Sequence, residues 1–179
     1  MKIGLTEIEG LLIIEPNVFS DQRGYFLETF HLEKYDIPYA HPFVQDNEAK
    51  SDKGVLRGLH FQKGDHAQGK LVRVVKGAVY DVAVDLRPDS ETFGTPFGIL
   101  LTGENKKQFW VPRGFAHGYL VLEDDTIFSY KCDNYYHKAS EGGIRFDDPD
   151  LDINWPQVGM NYIISEKDLA LGSLASLQL

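Results

Sequence analysis

Apolar and polar residues alternate with a period of two along much of the chain. From Ala78 to Leu86 the even positions read Ala78, Tyr80, Val82, Val84 and Leu86 while the odd positions carry Asp81 and Asp85, the pattern of a strand with one buried face. Further short strands are predicted at Gly24–Phe30, Val55–Phe61, Lys70–Val75, Phe97–Leu101, Gln108–Val111, His117–Leu122 and Thr126–Cys132. Turn-forming residues separate them, among them Lys76-Gly77, Arg87-Pro88-Asp89-Ser90, Thr102-Gly103-Glu104-Asn105, Pro112-Arg113-Gly114 and Glu123-Asp124-Asp125. Many short strands with such punctuation predict an all-β fold, a sandwich or jelly-roll barrel. Helical pattern is confined to His31–Tyr35 and Ser165–Leu171, where Ser165 is placed to cap the N-terminus and Asp168 follows three residues on. No repeat, low-complexity stretch or linker divides the chain, so residues 1–179 read as one domain.

Composition narrows the function classes. With 42% hydrophobic residues, eleven Phe, nine Tyr and two Trp, the chain has enough apolar surface to offset its conformational entropy and is not disordered. Twenty-seven acids against eighteen bases give a net charge of -9, which repels a phosphate polymer and disfavours nucleic-acid binding. The apolar run Leu11–Ile14 is far shorter than the ~20 residues a membrane helix needs, and Glu7 and Glu9 interrupt the place of a signal peptide. A single cysteine, Cys132, rules out an intrachain disulfide framework and points to a reducing, cytoplasmic setting.

Within this acidic chain, the stretch from Lys50 to Lys76 holds seven bases and two acids. Lys50, Lys53, Lys63 and Lys76 read as solubilising charges on exposed faces and turns. Arg57 and Lys70 lie inside strand patterns instead, and Lys70 shares its face with Val72 and Val74, so its ammonium points into the barrel, where a cation needs an anionic partner or ligand. His60 has the parity of Leu56 and Gln62; on residue pattern alone it is a hydrogen-bonded core histidine or a catalytic one. For Arg57 and His60 to line one pocket the strand needs a bulge, which Gly58 permits. His60, His66 and His117 are candidate metal ligands; Pro112-Arg113-Gly114-Phe115-Ala116-His117 matches one half of a cupin metal motif, but His60 is followed by Phe61-Gln62 rather than a second histidine, so no metal is expected. Tyr130, two residues after Phe128, reads as a core aromatic with a partnered hydroxyl, and Tyr135-Tyr136 as loop aromatics able to stack on a flat ring.

Several segments together resemble the dTDP-4-dehydrorhamnose 3,5-epimerase family, a branch of the cupins. They are Asp21-Gln22-Arg23-Gly24-Tyr25-Phe26, Gln45-Asp46-Asn47, Gly54-Val55-Leu56-Arg57-Gly58-Leu59-His60-Phe61-Gln62, Gln68-Gly69-Lys70-Leu71-Val72, Asp81-Val82-Ala83-Val84-Asp85-Leu86-Arg87, Gly114-Phe115-Ala116-His117-Gly118 and Asp147-Asp148-Pro149. The resemblance spans about residues 3 to 170 and implies a cupin-type double-stranded β-helix, or jelly roll, with a few short peripheral helices. It also implies a cofactor-free epimerase that inverts C3 and C5 of dTDP-4-keto-6-deoxy-glucose. By this resemblance His60 is the general base, Asp168 the carboxylate that orients it, Tyr130 the proton donor on the opposite face and Lys70 the cation for the enolate oxygen. Tyr136 corresponds to the aromatic that stacks on thymine, and Arg23, Glu28, Gln45, Asn47, Arg57, His117, Glu141 and Lys167 to nucleotide-sugar contacts. A homodimer with an exchanged N-terminal strand is implied as well. The sequence departs from the family pattern at Glu48-Ala49 and at Phe61. Alternatives are an epimerase acting at C3 or C5 alone, a non-catalytic sugar-binding cupin, and a metal-dependent cupin oxygenase or isomerase.

Overall fold

The computed structural model describes residues 1–37 and 41–177. Its strands are β1 (Lys2–Leu5), β2 (Leu12–Glu15), β3 (Val18–Asp21), β4 (Gly24–Leu27), β5 (Gln45–Ser51), β6 (Leu56–Gln62), β7 (Lys70–Lys76), β8 (Ala78–Asp85), β9 (Pro96–Thr102), β10 (Gln108–Val111), β11 (Phe115–Val121), β12 (Thr126–Cys132) and β13 (Glu141–Gly143). One sheet runs β1-β2-β10-β7-β12-β5 and the other β13-β6-β11-β8-β9, while β3 and β4 form a separate hairpin. Strands β5 to β12 thus alternate between sheets, except for the β8–β9 hairpin, in the orders β5-β12-β7-β10 and β6-β11-β8-β9, which is the jelly-roll pairing. The predicted all-β jelly roll is what the chain adopts.

Three apolar clusters hold the two sheets. Val72, Val74, Val79, Ala83, Phe109, Tyr119 and Phe128 fill the space between them. Leu56, Leu59, Val82, Val84 and Leu120 lie on the outer face of the second sheet, covered by Ile144, Leu151, Trp155 and Val158. Leu12, Ile14, Leu71 and Trp110 on the outer face of the first are covered by Tyr35 and Ile37.

Strand β8 corrects the one-face expectation. Asp81 and Asp85 are fully buried, because the odd positions face the interior beside Val79 and Ala83 while the even ones pack under the outer cover. Both acids have local partners: Asp81 Oδ1 accepts from His117 Nε2 at 2.9 Å, and Asp85 takes hydrogen bonds from Arg87, Ser90 and Thr92. The segment His31–Tyr35, expected to be helical, is a turn in which Lys34 N and Tyr35 N both reach His31 O. The Ser165 expectation holds in part. Helix α1 (Glu166–Leu169) is capped by Ser165 Oγ accepting from Asp168 N at 3.1 Å, while the Asp168 carboxylate turns inward.

Candidate active site

The interior is open on one side, where two adjoining cavities of about 600 and 310 Å³ share His60, Lys70 and Tyr130. The larger is bounded by Val55, Arg57, His117, Tyr119, Phe128 and Asp168, the smaller by Gln45, Asn47, Gln68, Cys132, Tyr136 and Glu141. The sheet register explains the meeting. Tyr130 on β12 lies opposite Val72 on β7, and Cys132 opposite Lys70, so both functional side chains point to the inner face with Val72 and Val74.

Strand β6 delivers His60 through a bulge. His117 pairs with His60 and Tyr119 with Arg57, so β6 spends one residue more than β11 over the same span. That bulge returns Arg57 and His60 to one cavity. Gly58 sits in it at φ +112°, and a Cβ there would lie 2.7 Å from Gly118 Cα and 2.8 Å from His117 O, so no larger residue fits. Its N–H donates to Asp168 Oδ2 at 3.2 Å, and the other oxygen of that buried carboxylate contacts His60 Nε2 at 2.7 Å. With Nε2–H donating to Asp168, His60 Nδ1 is left as a lone-pair acceptor.

Electrostatics favour the uncharged form of several groups. Burial holds the His60 imidazole below the ordinary histidine value, against the pull of Asp168. Burial also lowers Lys70 and raises Tyr130. At the rim Lys167 donates to Glu141 at 2.5 Å and the Tyr136 hydroxyl to the same carboxylate at 3.1 Å. Burial works to raise Glu141, but these hydrogen bonds override it and hold the carboxyl low. Among the described residues the Arg57 guanidinium hydrogen-bonds only to the Ser51 hydroxyl, and neither Arg57 nor Lys70 has a carboxylate partner.

His60, Tyr130, Asp168, Lys70, Gln45, Asn47, Arg57, His117, Tyr136, Glu141 and Lys167 therefore converge on one cleft. Arg23 and Glu28 do not: Arg23 is ion-paired to Asp21 on the exposed hairpin, and Glu28 to Lys34. Residue reasoning missed Tyr119, whose buried ring stacks on Phe128 at 4.1 Å, and Asp81 behind His117. The parity of Tyr119 with His117 along β11 was the available signal for the first. Among the described residues no group of three or more His, Cys, Asp or Glu is arranged to hold a metal ion.

The jelly roll with a cleft between its sheets is of the cupin class, the fold of its structural neighbours. The family model for dTDP-4-dehydrorhamnose 3,5-epimerase matches residues 5–176, and the chain belongs to that family. It is 51% identical to the dTDP-4-dehydrorhamnose 3,5-epimerase of Escherichia coli (strain K12) over 99% of this chain and 96% of that protein. The crystal structure of the enzyme of that name from Elizabethkingia anophelis NUHP1 is 52% identical, with a TM-score of 0.93 over 98% of this chain and 97% of that one. A dTDP-6-deoxy-D-glucose-3,5-epimerase from Legionella pneumophila Philadelphia 1, solved with dTDP-4-keto-L-rhamnose, is 49% identical, with a TM-score of 0.95 over 99% of this chain and 94% of that one.

Proposed function

We propose that this enzyme, a dTDP-4-dehydrorhamnose 3,5-epimerase by family, uses His60 Nδ1 to remove the hydrogens at C3 and C5 of a dTDP-4-keto-6-deoxy sugar and Tyr130 to return hydrogen from the opposite face. The contact that carries the reading is His60 Nε2 to Asp168 Oδ1 at 2.7 Å, in a cleft that also holds Tyr130 and an ammonium without a carboxylate partner. The C4 ketone acidifies the hydrogen on each neighbouring carbon. As His60 takes one, the electron pair moves onto the ketone oxygen, beside Lys70. The phenol then gives its proton to the opposite face of the same carbon, and both side chains exchange with water before the second centre reacts. Asp168 fixes the ring and stabilises the imidazolium that forms. The raised Tyr130 value keeps the phenol protonated until the carbanion needs it.

Tyr136, with Gln45, Asn47, Glu141 and Lys167, is assigned to the thymidine end, and Arg57 and His117 to the sugar-diphosphate wall. Positive charge on Arg57 and Lys70 suits a dianionic diphosphate in a protein of net charge -9. Arg23 and Glu28 are assigned to a partner copy's cleft in a homodimer. The β3–β4 hairpin carries Val18, Phe19, Tyr25 and Phe26 at 41%, 62%, 55% and 65% exposure, and an isolated hairpin is marginal without something to pack on. The same reading takes the chain as one domain working without a cofactor in the cytoplasm, where the unpaired thiol of Cys132 is stable. No helix among the described residues is long and apolar enough to cross a membrane.

Incubation with the 4-keto sugar nucleotide in D₂O tests this. Deuterium is expected at both C3 and C5 without added cofactor. Exchange at one carbon only would reassign the enzyme as a mono-epimerase, and binding without exchange would make it a sugar-binding module.

A further inference from the structure

Three strand ends lie side by side beneath the cleft. Val111, the last residue of β10, is opposite Lys70, the first of β7, and Lys70 is in turn opposite Cys132, the last of β12. One residue beyond that row, Asp133 holds Gly69 from both sides: Gly69 N donates to Asp133 Oδ1 at 2.6 Å, and Asp133 N donates to Gly69 O at 3.0 Å. Arg113, just past β10, closes the arrangement from the far side. Its Nε reaches Asp133 Oδ2 at 3.1 Å and Oδ1 at 3.3 Å, and its Nη2 donates to Asp133 O at 3.2 Å. A Cβ on Gly69 would stand 2.5 Å from the Trp110 ring and 2.9 Å from the Asp133 carboxylate, so the space admits only glycine. The Asp133 side chain is fully buried, and neither it nor Arg113 lines the cleft.

We infer that the Arg113–Asp133 pair is a positioning clamp for Lys70, straddling the start of β7 from β10 and β12 to fix where the ammonium enters the cleft. Lys70 has no ion-pair or hydrogen-bond partner of its own among the described residues, so its long side chain is placed by its backbone and its packing alone. A donor that stabilises developing charge works only when held at hydrogen-bond distance from the position of the oxyanion. The lone-pair side of that requirement belongs to substrate; the fixed side belongs to the clamp. The inference rests on the assignment of Lys70 to the enolate oxygen.

The test is a double-mutant cycle with Lys70, read as the rate of deuterium entry at C3 and C5 together with the thermal midpoint. Asp133→Asn in the parent protein is expected to lower kcat by about 10²-fold, the scale of a displacement near 1 Å, with KM changed less. In the Lys70→Ala background the same substitution is expected to cost less than about threefold, because two changes acting through one group are not additive. The loss of thermal midpoint should be alike in both backgrounds. Arg113→Lys, which keeps charge but not the fork, goes through the same cycle if Asp133→Asn does not accumulate. Equal rate losses in both backgrounds, or none in the parent, would overturn the clamp. An unchanged rate in Lys70→Ala alone would remove Lys70 from the enolate oxygen, a failure of the underlying assignment seen before Asp133 is altered.

Discussion

Two histidine–aspartate pairs face each other across β6 and β11, and nearly the same contact does different things in them. His60 meets Asp168 at 2.7 Å and His117 meets Asp81 at 2.9 Å. The His60 side chain is 30% exposed, the His117 side chain 7%, and both carboxylates are buried. Asp168 uses both oxygens, one on the imidazole and one on Gly58 N, whereas Asp81 Oδ2 has no hydrogen-bond partner among the described residues. The partners also come from different places: Asp81 is on β8, hydrogen-bonded to the strand of its histidine, while Asp168 arrives from helix α1, 108 residues away from His60. Accessibility therefore separates the two imidazoles: that of His60 is open to the cleft, whereas that of His117, at the cavity wall, is held by a carboxylate on the neighbouring strand.

The largest expected separation is in rate. His60→Ala should lower deuterium incorporation at both carbons by about 10²- to 10⁴-fold, with a small change in unfolding midpoint, since Asp168 keeps the Gly58 amide. Residual exchange near the parent rate would take the base role away from His60. His117→Ala should do the reverse in kind: it strands a buried carboxylate and is expected to cost about 3–5 kcal/mol in denaturant unfolding. A fully stable His117→Ala protein would erase the distinction drawn between the pairs. Tyr130→Phe should keep proton loss while inversion falls, so that deuterium enters with retained configuration; an unaltered product ratio counts against the phenol as donor.

Acid should sharpen the contrast further. Because burial holds His60 below the ordinary value, its neutral form persists to lower pH, and the acidic limb of kcat/KM is expected below ~6.5. The sign for stability follows from the same shift. Below ~6.5 the unfolded chain takes up a proton that the folded one resists, so stability declines as pH falls from there towards the depressed folded value. A pH–rate profile whose limb stays above that range would exclude His60 as the titrating group. The smallest effect is expected from Ser165→Ala, which removes the cap of α1 and costs about 1 kcal/mol of stability, with a modest loss of rate through a looser Asp168.

Much of the barrel was legible in its alternation. Gln108–Val111 and Thr126–Cys132 are strands with the expected ends, and β7, β8, β9 and β11 begin or end within one or two residues of expectation. Strand β5 was not legible, for a physical reason: its inner residues Gln45 and Asn47 face a polar cleft and its outer residues Asp46 and Glu48 face away from it, so it has no hydrophobic period to read. Strand β13, Glu-Gly-Gly, offers no pattern at all. The inward aim of Lys70 and the need for a bulge at Gly58 were readable from parity. The contact of Asp168 with His60 was not, because nothing local links a capped four-residue helix to a strand so distant in the chain; only family resemblance pointed to it. The polar face of β8 was misread for a related reason, since pattern alone does not tell water from a buried histidine.

Helix α1 has one more consequence. Every described strand ends by Gly143, whereas the carboxylate behind His60 lies at residue 168. A ribosome thus delivers the sheets, with all their ladder partners, before it delivers the group that orients the imidazole. A polypeptide clipped just ahead of Ser165 keeps every strand residue but loses the carboxylate beside His60, and with it the packing of Leu174 and Leu177 and the bond from Arg145 N to Gly172 O.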